Sequence, residues 1–286
     1  MFSSFSRSWE IISQSYAVLK KQKTLVVFPI LSGIACLIVA ISFIAPVIAM
    51  PDLFVKVARK GGDPEARNWI IAIGGFLFYF INYFIIIFFN AALAACAVMH
   101  FKGIDPTLGD GLSAAGRRFP QILGWAFVAA TVGMILKAIQ DRSEWVGKLI
   151  VGFLGLMWTA VTYLVVPVLA VEGKGPIDAL KRSSELLRRT WGEGLAGGLT
   201  MGLVGFLLTL PGLLLIFAGA MGGAAMQNMM LGGIAIGLGV IYLVVISIIL
   251  STLKQIYIAG LYLYAAEGVM PNGFSPDLVQ EAFHKK

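Results

Sequence analysis

Residues Leu25–Met50 read LVVFPILSGIACLIVAISFIAPVIAM, a run of 26 residues without a charged side chain. A helix needs about 20 apolar residues to cross the hydrocarbon core of a bilayer. The apolar region of a cleavable signal peptide is shorter, at about 7–15 residues. Lys20, Lys21 and Lys23 precede the run, as cations precede a signal peptide. Because the run is so long, we expect it to be an uncleaved first membrane span.

Five further runs have a similar length and composition. They are Trp69–Met99, Phe119–Leu136, Val146–Val171, Gly194–Gly219 and Met230–Leu253, and the last continues as an apolar, aromatic stretch to Ala266. Hydrophobic residues make up 58% of the chain and charged residues only 13%, against about 25% charged residues in a soluble domain. This composition excludes soluble, disordered and disulfide-stabilised classes. It predicts an all-α, polytopic membrane bundle of six transmembrane helices.

Lysines and arginines are distributed unevenly between the two sides that six spans define. Fifteen of the 22 lie on the side of the N-terminus. The other seven are Lys56, Arg59, Lys60, Arg67, Lys137, Arg142 and Lys148. Cytoplasmic loops carry the excess of such cations, so the count predicts that both termini lie in the cytoplasm. The net charge of +7 is then explained by topology and lipid contact, and we expect no nucleic-acid partner.

A short segment with helical apolar spacing and two adjacent cations precedes each pair of spans. The cations are Lys20 and Lys21, Arg117 and Arg118, and Arg188 and Arg189. Such segments predict amphipathic interfacial helices whose cations contact anionic lipid headgroups. We therefore expect a threefold repeat of helix plus hairpin, about 1–100, 104–172 and 176–267, within one transmembrane domain that ends in a cytoplasmic tail, 268–286. The alternative is that any multispan protein carries basic amphipathic linkers.

The first and third of these segments align without gaps on their cation pairs. The alignment places Ser15 opposite Ser183 and Leu19 opposite Leu187. An acidic or small residue followed by proline is a typical helix start. We expect the second interfacial helix to begin at Asp105-Pro106 and the third at Gly175-Pro176.

Two glutamates, Glu172 and Glu267, end the fourth and sixth spans. The dipole at a helix C-terminus disfavours a carboxylate. Our hypothesis is that cations of the interfacial helices, such as Arg188 and Arg189, form ion pairs with these glutamates. The alternative is that both glutamates are solvated among the headgroups.

Glycines recur at a spacing of four residues in the last two spans. The pairs are Gly198 and Gly202, Gly219 and Gly223, and Gly233 and Gly237. Small residues at this spacing let helix backbones approach closely. We expect them to pack the fifth span against the sixth, with homo-oligomerisation through the same face as the alternative. Pro167 and Pro211 lie within spans and predict kinks.

Residue patterns of catalysis and metal binding are missing from the sequence. No ionisable residue lies near the middle of a span, where such groups are usually functional. His100 and His284 are far apart, and neither a Gly-x-Ser-x-Gly elbow nor a Gly-Lys-Ser/Thr phosphate loop is present. We expect no catalytic residue, no metal site and no cofactor.

The segment Asp178–Leu187, DALKRSSELL, is followed by Trp191 and preceded by the span end Val166–Leu169. With Ser8-Trp9 and Ser15-Tyr16, it resembles an uncharacterised family of prokaryotic six-span integral membrane proteins. That group is distantly similar to the membrane domain fused to some glycerophosphodiester phosphodiesterases. The resemblance implies a six-span fold in a bacterial inner membrane and supplies no catalytic residues. The soluble phosphodiesterase domain is absent, so its activity is not implied.

These patterns favour a non-enzymatic multi-pass protein that acts as a scaffold, an assembly partner or a lipid-organising element. Its expected partners are membrane lipids and a second copy or another membrane protein. The alternative is a transporter or pore for a lipidic or apolar small molecule, which would need no buried charge. An enzyme acting on lipid headgroups is a third hypothesis, and it would need acidic or histidine residues assembled at one interface.

Overall fold

The computed structural model describes residues 13–49, 64–142, 145–189, 191–225 and 228–268. Every regular element among these residues is helical, and they contain no strand. The all-α prediction is therefore confirmed. The start of the first interfacial helix and all of the tail beyond Gly268 lie outside the described residues.

The described helices follow a short, long, long order three times along the chain. They are α1 (13–21), α2 (Val27–Ala49), α3 (Pro64–Phe101), α4 (Leu108–Arg117), α5 (Phe119–Arg142), α6 (Trp145–Val161), α7 (Pro176–Arg189), α8 (Trp191–Ala225) and α9 (Met229–Glu267). A 3₁₀ turn, Lys23–Val26, leads into α2. This order of elements follows the repeat expected from the sequence, whereas its organisation as one transmembrane domain stays a prediction.

Six helices within the described residues are long and apolar enough to cross a membrane. The candidate spans are Lys23–Pro46, Ala72–Phe101, Phe119–Arg142, Gly147–Glu172, Met201–Gly223 and Met229–Glu267. Large apolar side chains such as Ile41, Phe153 and Leu214 are exposed along them, as helices that face lipid tails require. The spans indicate a membrane protein and confirm the predicted number of six.

The fourth span is broken one turn before Pro167. Helix α6 ends at Val161, residues 162–164 form a turn, and the chain becomes helical again at Val165–Pro167 and in a π-helical turn, Val168–Glu172. Proline lacks an N–H and its ring clashes with the carbonyl four residues earlier, here that of Tyr163. At Pro167, where the sequence predicts a kink, the fourth span is therefore broken. Pro211, where the sequence also predicts a kink, lies inside α8, which is assigned as one continuous helix.

Helix α4 starts later than its sequence predicts. Its N-cap is Thr107, whose hydroxyl accepts from the Asp110 N–H at 3.2 Å, while Asp110 Oδ2 accepts from the Thr107 N–H at 2.9 Å. This capping box satisfies two backbone donors at once, which explains why Thr107 replaces Asp105 as the cap. Helix α7 begins at Pro176, as predicted.

Contacts divide the chain into two compact units. One unit comprises residues Met1–Val26, Ala97–Pro106 and Leu187–Lys286. In it, α8 packs along α9, and the turn Lys23–Val26 also contacts α9, whose residues Gln255–Leu263 are all buried. The second unit comprises Val27–Cys96 and Thr107–Leu186. Its core includes the small-residue run Ala91–Cys96 of α3, which is buried throughout.

Candidate functional site

Each interfacial helix buries a glycine or a serine on its docked face. These residues are Ser15 in α1, Gly111 in α4 and Ser183 in α7, and both serines are 0% exposed. The positions three and four residues later point the same way: Val18 and Leu19 are buried, as are Leu186 and Leu187, and in α4 the fourth position is the buried Ala115. Residues three and four apart share a helix face, so each short helix is docked by one face.

Gly111 docks α4 within its unit. A Cβ placed on Gly111 would lie 2.6 Å from both Cys96 Sγ and Phe28 Cζ, and 3.0 Å from the Ala92 carbonyl oxygen. The Cys96 thiol also donates to the carbonyl of Thr107 at 3.6 Å. A residue larger than glycine would fit this contact only if the Cys96 and Phe28 side chains moved, so α4 is closely packed against the end of α3.

Ser183 docks α7 by filling the break in the fourth span. Its hydroxyl donates to the Val161 carbonyl at 2.6 Å and accepts from the Leu164 N–H at 3.1 Å. The turn at 162–164 leaves backbone groups without helical partners, and unpaired backbone groups are costly in an apolar environment. A side chain of α7 thus completes the hydrogen bonding of a broken span.

We predict that Ser183→Ala destabilises the protein by about 1–3 kcal/mol, because the buried Leu164 N–H loses its acceptor. The matched control is Ser184→Ala, one residue along α7, whose hydroxyl donates only to the Lys181 carbonyl of its own helix, at 2.7 Å. Thermal unfolding of both variants in mild detergent measures the difference. Equal melting temperatures for the two variants would contradict the role assigned to Ser183.

Ser15 occupies the matching place in α1, as its alignment with Ser183 suggests. It is 0% exposed, and its Oγ has no hydrogen-bond partner among the described residues. The 3₁₀ turn that follows α1 packs against α9 in the same unit. Gln22 at the end of α1 donates through Nε2 to Asp105 Oδ1 at 2.9 Å, and His100 Nδ1 lies 3.8 Å from that same oxygen.

Glu172 has two cationic partners near the C-terminal end of the fourth span. Arg182 Nε lies 3.2 Å from Oε1 and Lys174 Nζ lies 2.7 Å from Oε2, and the Glu172 side chain is only 19% exposed. Arg182 also contacts Glu185 at 3.5 Å. Burial lowers the pKa of the Arg182 guanidinium, but its bonds to the two glutamates outweigh this effect and hold that pKa above its ordinary value. An interfacial helix therefore supplies a cation to Glu172, as hypothesised, but the cation belongs to Arg182.

Glu267 pairs with Lys102, in the loop after α3, at 2.7 Å. Both side chains are more than a third exposed, and such pairs contribute only about 0–1 kcal/mol. Sequence reasoning did not single out Arg182, Lys174 or Lys102. The one available signal was proximity in the chain, since Lys174 is two residues and Arg182 ten residues from Glu172.

Most of the cations expected to contact lipid have exposed side chains. Lys20, Lys21, Arg117 and Arg188 are exposed, and the Lys20 ammonium lies 5.0 Å from the centre of the Tyr16 ring. The structure does not describe the side chain of Arg189.

Arg118 is half-buried, and its guanidinium packs against Gly173. Gly173 has a φ of 65°, a conformation that glycine adopts readily. The Arg118 side chain therefore covers the turn after the fourth span.

In the capping box of the second interfacial helix, bonds from the Thr107 side chain and backbone hold the pKa of the Asp110 carboxyl below its usual value. The carboxylate stays ionised at neutral pH and faces the positive end of the helix dipole. The capping box thereby stabilises the start of α4, while the exposed Arg117 lies at the other end of the helix.

Within the described residues, three of the glycines expected to pack the fifth span against the sixth do not do so. A Cβ on Gly202, Gly233 or Gly237 would meet no atom of another described residue within 4 Å. The close approach of α8 and α9 does use the expected pair Gly219 and Gly223 on α8, together with Gly212 on α8 and Gly232 and Gly239 on α9, which the spacing did not indicate. Spacing alone does not indicate which side of a helix faces its neighbour, and the surroundings of Gly198 lie outside the described residues.

Within the described parts of the chain, no three His, Cys, Asp or Glu side chains come together as they would to hold a metal ion. Each of the three short helices is docked by a buried face and has an exposed cation near its end, namely Lys20 in α1, Arg117 in α4 and Arg188 in α7. Such an arrangement can hold anionic groups at a membrane surface.

Two comparisons with known proteins complete the description. A family of unknown function, DUF6159, matches residues 69–273, which is more than half of the chain and runs from within α3 to beyond α9. The chain therefore belongs to that family. A search of curated proteins finds no match. The family match gives no link to glycerophosphodiester phosphodiesterases.

Proposed function

We propose that this member of the DUF6159 family is a non-enzymatic membrane protein that organises anionic lipid on one face of the bilayer. The proposal includes the inner membrane as its location, which the sequence resemblance to six-span membrane proteins implies, and the cytoplasm as the side of both termini, which follows from the distribution of lysines and arginines. Organising lipid needs no catalytic group. It requires a rigid scaffold that presents cations at the depth of the headgroups.

The observation that supports this function is the docking of the interfacial helices. Ser15, Gly111 and Ser183 are buried on one side of these helices, while cations at their ends are exposed. A cation on a flexible loop would lose conformational entropy when it binds a headgroup. A cation near an anionic surface gains about 1 kcal/mol from electrostatic attraction. Because the helix that carries the cation is already docked, less of this gain is offset by the entropy of ordering its backbone.

Lipid selectivity tests the proposal directly. The purified protein is reconstituted in nanodiscs of phosphatidylcholine with increasing phosphatidylglycerol, and the lipid next to the protein is measured by tryptophan quenching with brominated lipids. We expect enrichment of phosphatidylglycerol at low salt, and loss of most of it near 1 M salt, where the Debye length is about 3 Å. Equal quenching by both lipids at low salt would overturn the proposal.

One observation favours transport as a second function. Transporters often place their substrate sites at discontinuous helices, and the fourth span is discontinuous at residues 162–164. However, Ser183 already bonds two backbone groups of that break, so the break serves the docking of α7. Saturable uptake of a fluorescent lipid by proteoliposomes, absent from empty liposomes, would favour transport over lipid organisation.

The scaffold and self-association hypotheses have support of a different kind. Gly233 and Gly237 are exposed on α9 with open space around them, and exposed small residues at this spacing are a common contact between membrane helices. Crosslinking in native membranes tests whether a second copy or another membrane protein packs there.

A further inference from the structure

A cavity of about 520 Å³ that is open to the surface lies between α5 and α6, at the end of the α5–α6 hairpin that is opposite α4. Its lining residues are Gly133, Leu136, Lys137, Gln140, Asp141 and Lys148. Ligand sites commonly have volumes of about 300–1,000 Å³. Helix α5 ends at Arg142, so Lys137 lies about 7.5 Å before the helix end at 1.5 Å per residue. The cavity therefore opens at the depth of the lipid headgroups.

Within the described residues, neither lysine of the cavity has an ion-pair partner. No carboxylate of the described residues lies within 4.0 Å of Lys137 or Lys148, although Asp141 follows Lys137 by four residues and lines the same cavity. Two other cations of this unit do have partners, since Arg118 packs on Gly173 and Arg182 pairs with Glu172. The two ammonium groups are thus available to a ligand.

The lining of the cavity also includes a neutral polar side chain and an apolar one, and a tyrosine hydroxyl lies next to one of the lining residues. The side chain of Gln140 provides an amide, and the Tyr79 hydroxyl lies next to Gly133, where a Cβ would be 3.0 Å from it. Leu136 is an apolar surface beside these groups. Two ammonium groups, an amide and a hydroxyl are donors that suit phosphate oxygens.

We infer that this cavity binds a phosphate group, held between Lys137 and Lys148 with Gln140 and Tyr79 beside it. The phosphate is either that of a phospholipid headgroup or that of a free phosphate ester. The carboxylate of Asp141 suits the ammonium of an ethanolamine headgroup. This inference does not rest on the lipid-organising function, which concerns the cations at the other end of the helices.

Native mass spectrometry of the full chain in mild detergent tests the site, with phosphatidylethanolamine, phosphatidylglycerol, glycerol phosphate and inorganic phosphate as separate probes. We expect K137Q/K148Q to weaken binding of at least one probe about thirtyfold, from the loss of two cations that each contribute about 1 kcal/mol. K137R/K148R should retain binding, and unfolding temperatures should match those of the natural protein. Loss of lipid adducts alone identifies a headgroup, whereas loss of the soluble adducts identifies a free phosphate ester.

The matched control is R142Q, which removes an exposed cation from the same helix end without touching the cavity. Binding by R142Q should equal that of the natural chain. If R142Q weakens binding as much as K137Q/K148Q, the attraction is diffuse and the cavity is not a site. If K137Q/K148Q binds every probe normally, the inference is overturned whatever the cations of the interfacial helices do.

Discussion

Replacing Gly232 by leucine is expected to be the most destabilising single change in the α8–α9 hairpin. A Cβ at this position would lie 2.7 Å from the Gly219 carbonyl oxygen and 2.9 Å from the Gly223 Cα. Both are backbone atoms, so no rotation of a side chain relieves the overlap. Overpacking of a well-packed core costs about 1–3 kcal/mol, and we expect the upper end of this range or more, because the two helices must separate along their whole contact.

Gly233→Leu is the matched control for this prediction. Gly233 follows Gly232 in the chain, but it lies about 100° further around the helix and has no neighbouring atom of the described residues within 4 Å of a Cβ. Thermal unfolding in detergent should show a clear fall of the melting temperature for G232L and almost none for G233L. A similar fall for both variants would mean that leucine destabilises the hairpin for a reason other than the approach of the two backbones.

The spans were predictable because their signal is the sum of many residues. Twenty or more uncharged residues in a row satisfy the length of a bilayer, and a shift of a few residues at either end changes nothing essential. The predicted second span, Trp69–Met99, lies within helix Pro64–Phe101, and the predicted sixth, with its extension to Ala266, corresponds to Met229–Glu267. The ends were less predictable where one hydrogen bond decides them, as Thr107 does for α4.

The docking of the interfacial helices was only partly accessible from the sequence. Aligning the cation pairs placed Ser15 opposite Ser183, and both proved fully buried. The role of Ser183 depends on the break before Pro167, whose bonded residues lie 19 and 22 positions earlier in the sequence and meet Ser183 only in the folded chain. Similarly, Gly111 is a docking point only because Cys96, Phe28 and Ala92 come together around it.

The glycines show why a motif without geometry is a weak guide to packing. Gly219 and Gly233 each begin a pair with four-residue spacing, yet only Gly219 faces the neighbouring helix. The rotation of α9 about its axis decides which glycine is covered, and the apolar residues on all sides of a membrane helix give no amphipathic pattern from which to derive that rotation. The correct choice required the neighbouring helix to be in place.

The largest effect on lipid binding is expected when one cation is removed from each interfacial helix, in K20Q/R117Q/R188Q. Each exposed cation near an anionic surface contributes about 1 kcal/mol at low salt. Three together contribute about 3 kcal/mol, which is about a hundredfold in the overall constant for exchanging phosphatidylcholine for phosphatidylglycerol around these helices. The measurement is tryptophan quenching by brominated phosphatidylglycerol in nanodiscs.

The control for this variant is K20R/R117K/R188K, which keeps all three positive charges and only exchanges ammonium and guanidinium groups. Because a diffuse attraction to anionic lipid depends on charge, it should retain binding close to that of the natural chain, with the same decrease on adding salt. K20Q/R117Q/R188Q should instead bind weakly at every salt concentration, with its melting temperature unchanged, since the buried docking residues are intact. Normal, salt-sensitive enrichment in K20Q/R117Q/R188Q would exclude these cations as the source of lipid selectivity. Loss of binding in both variants would point to recognition by specific geometry instead of charge.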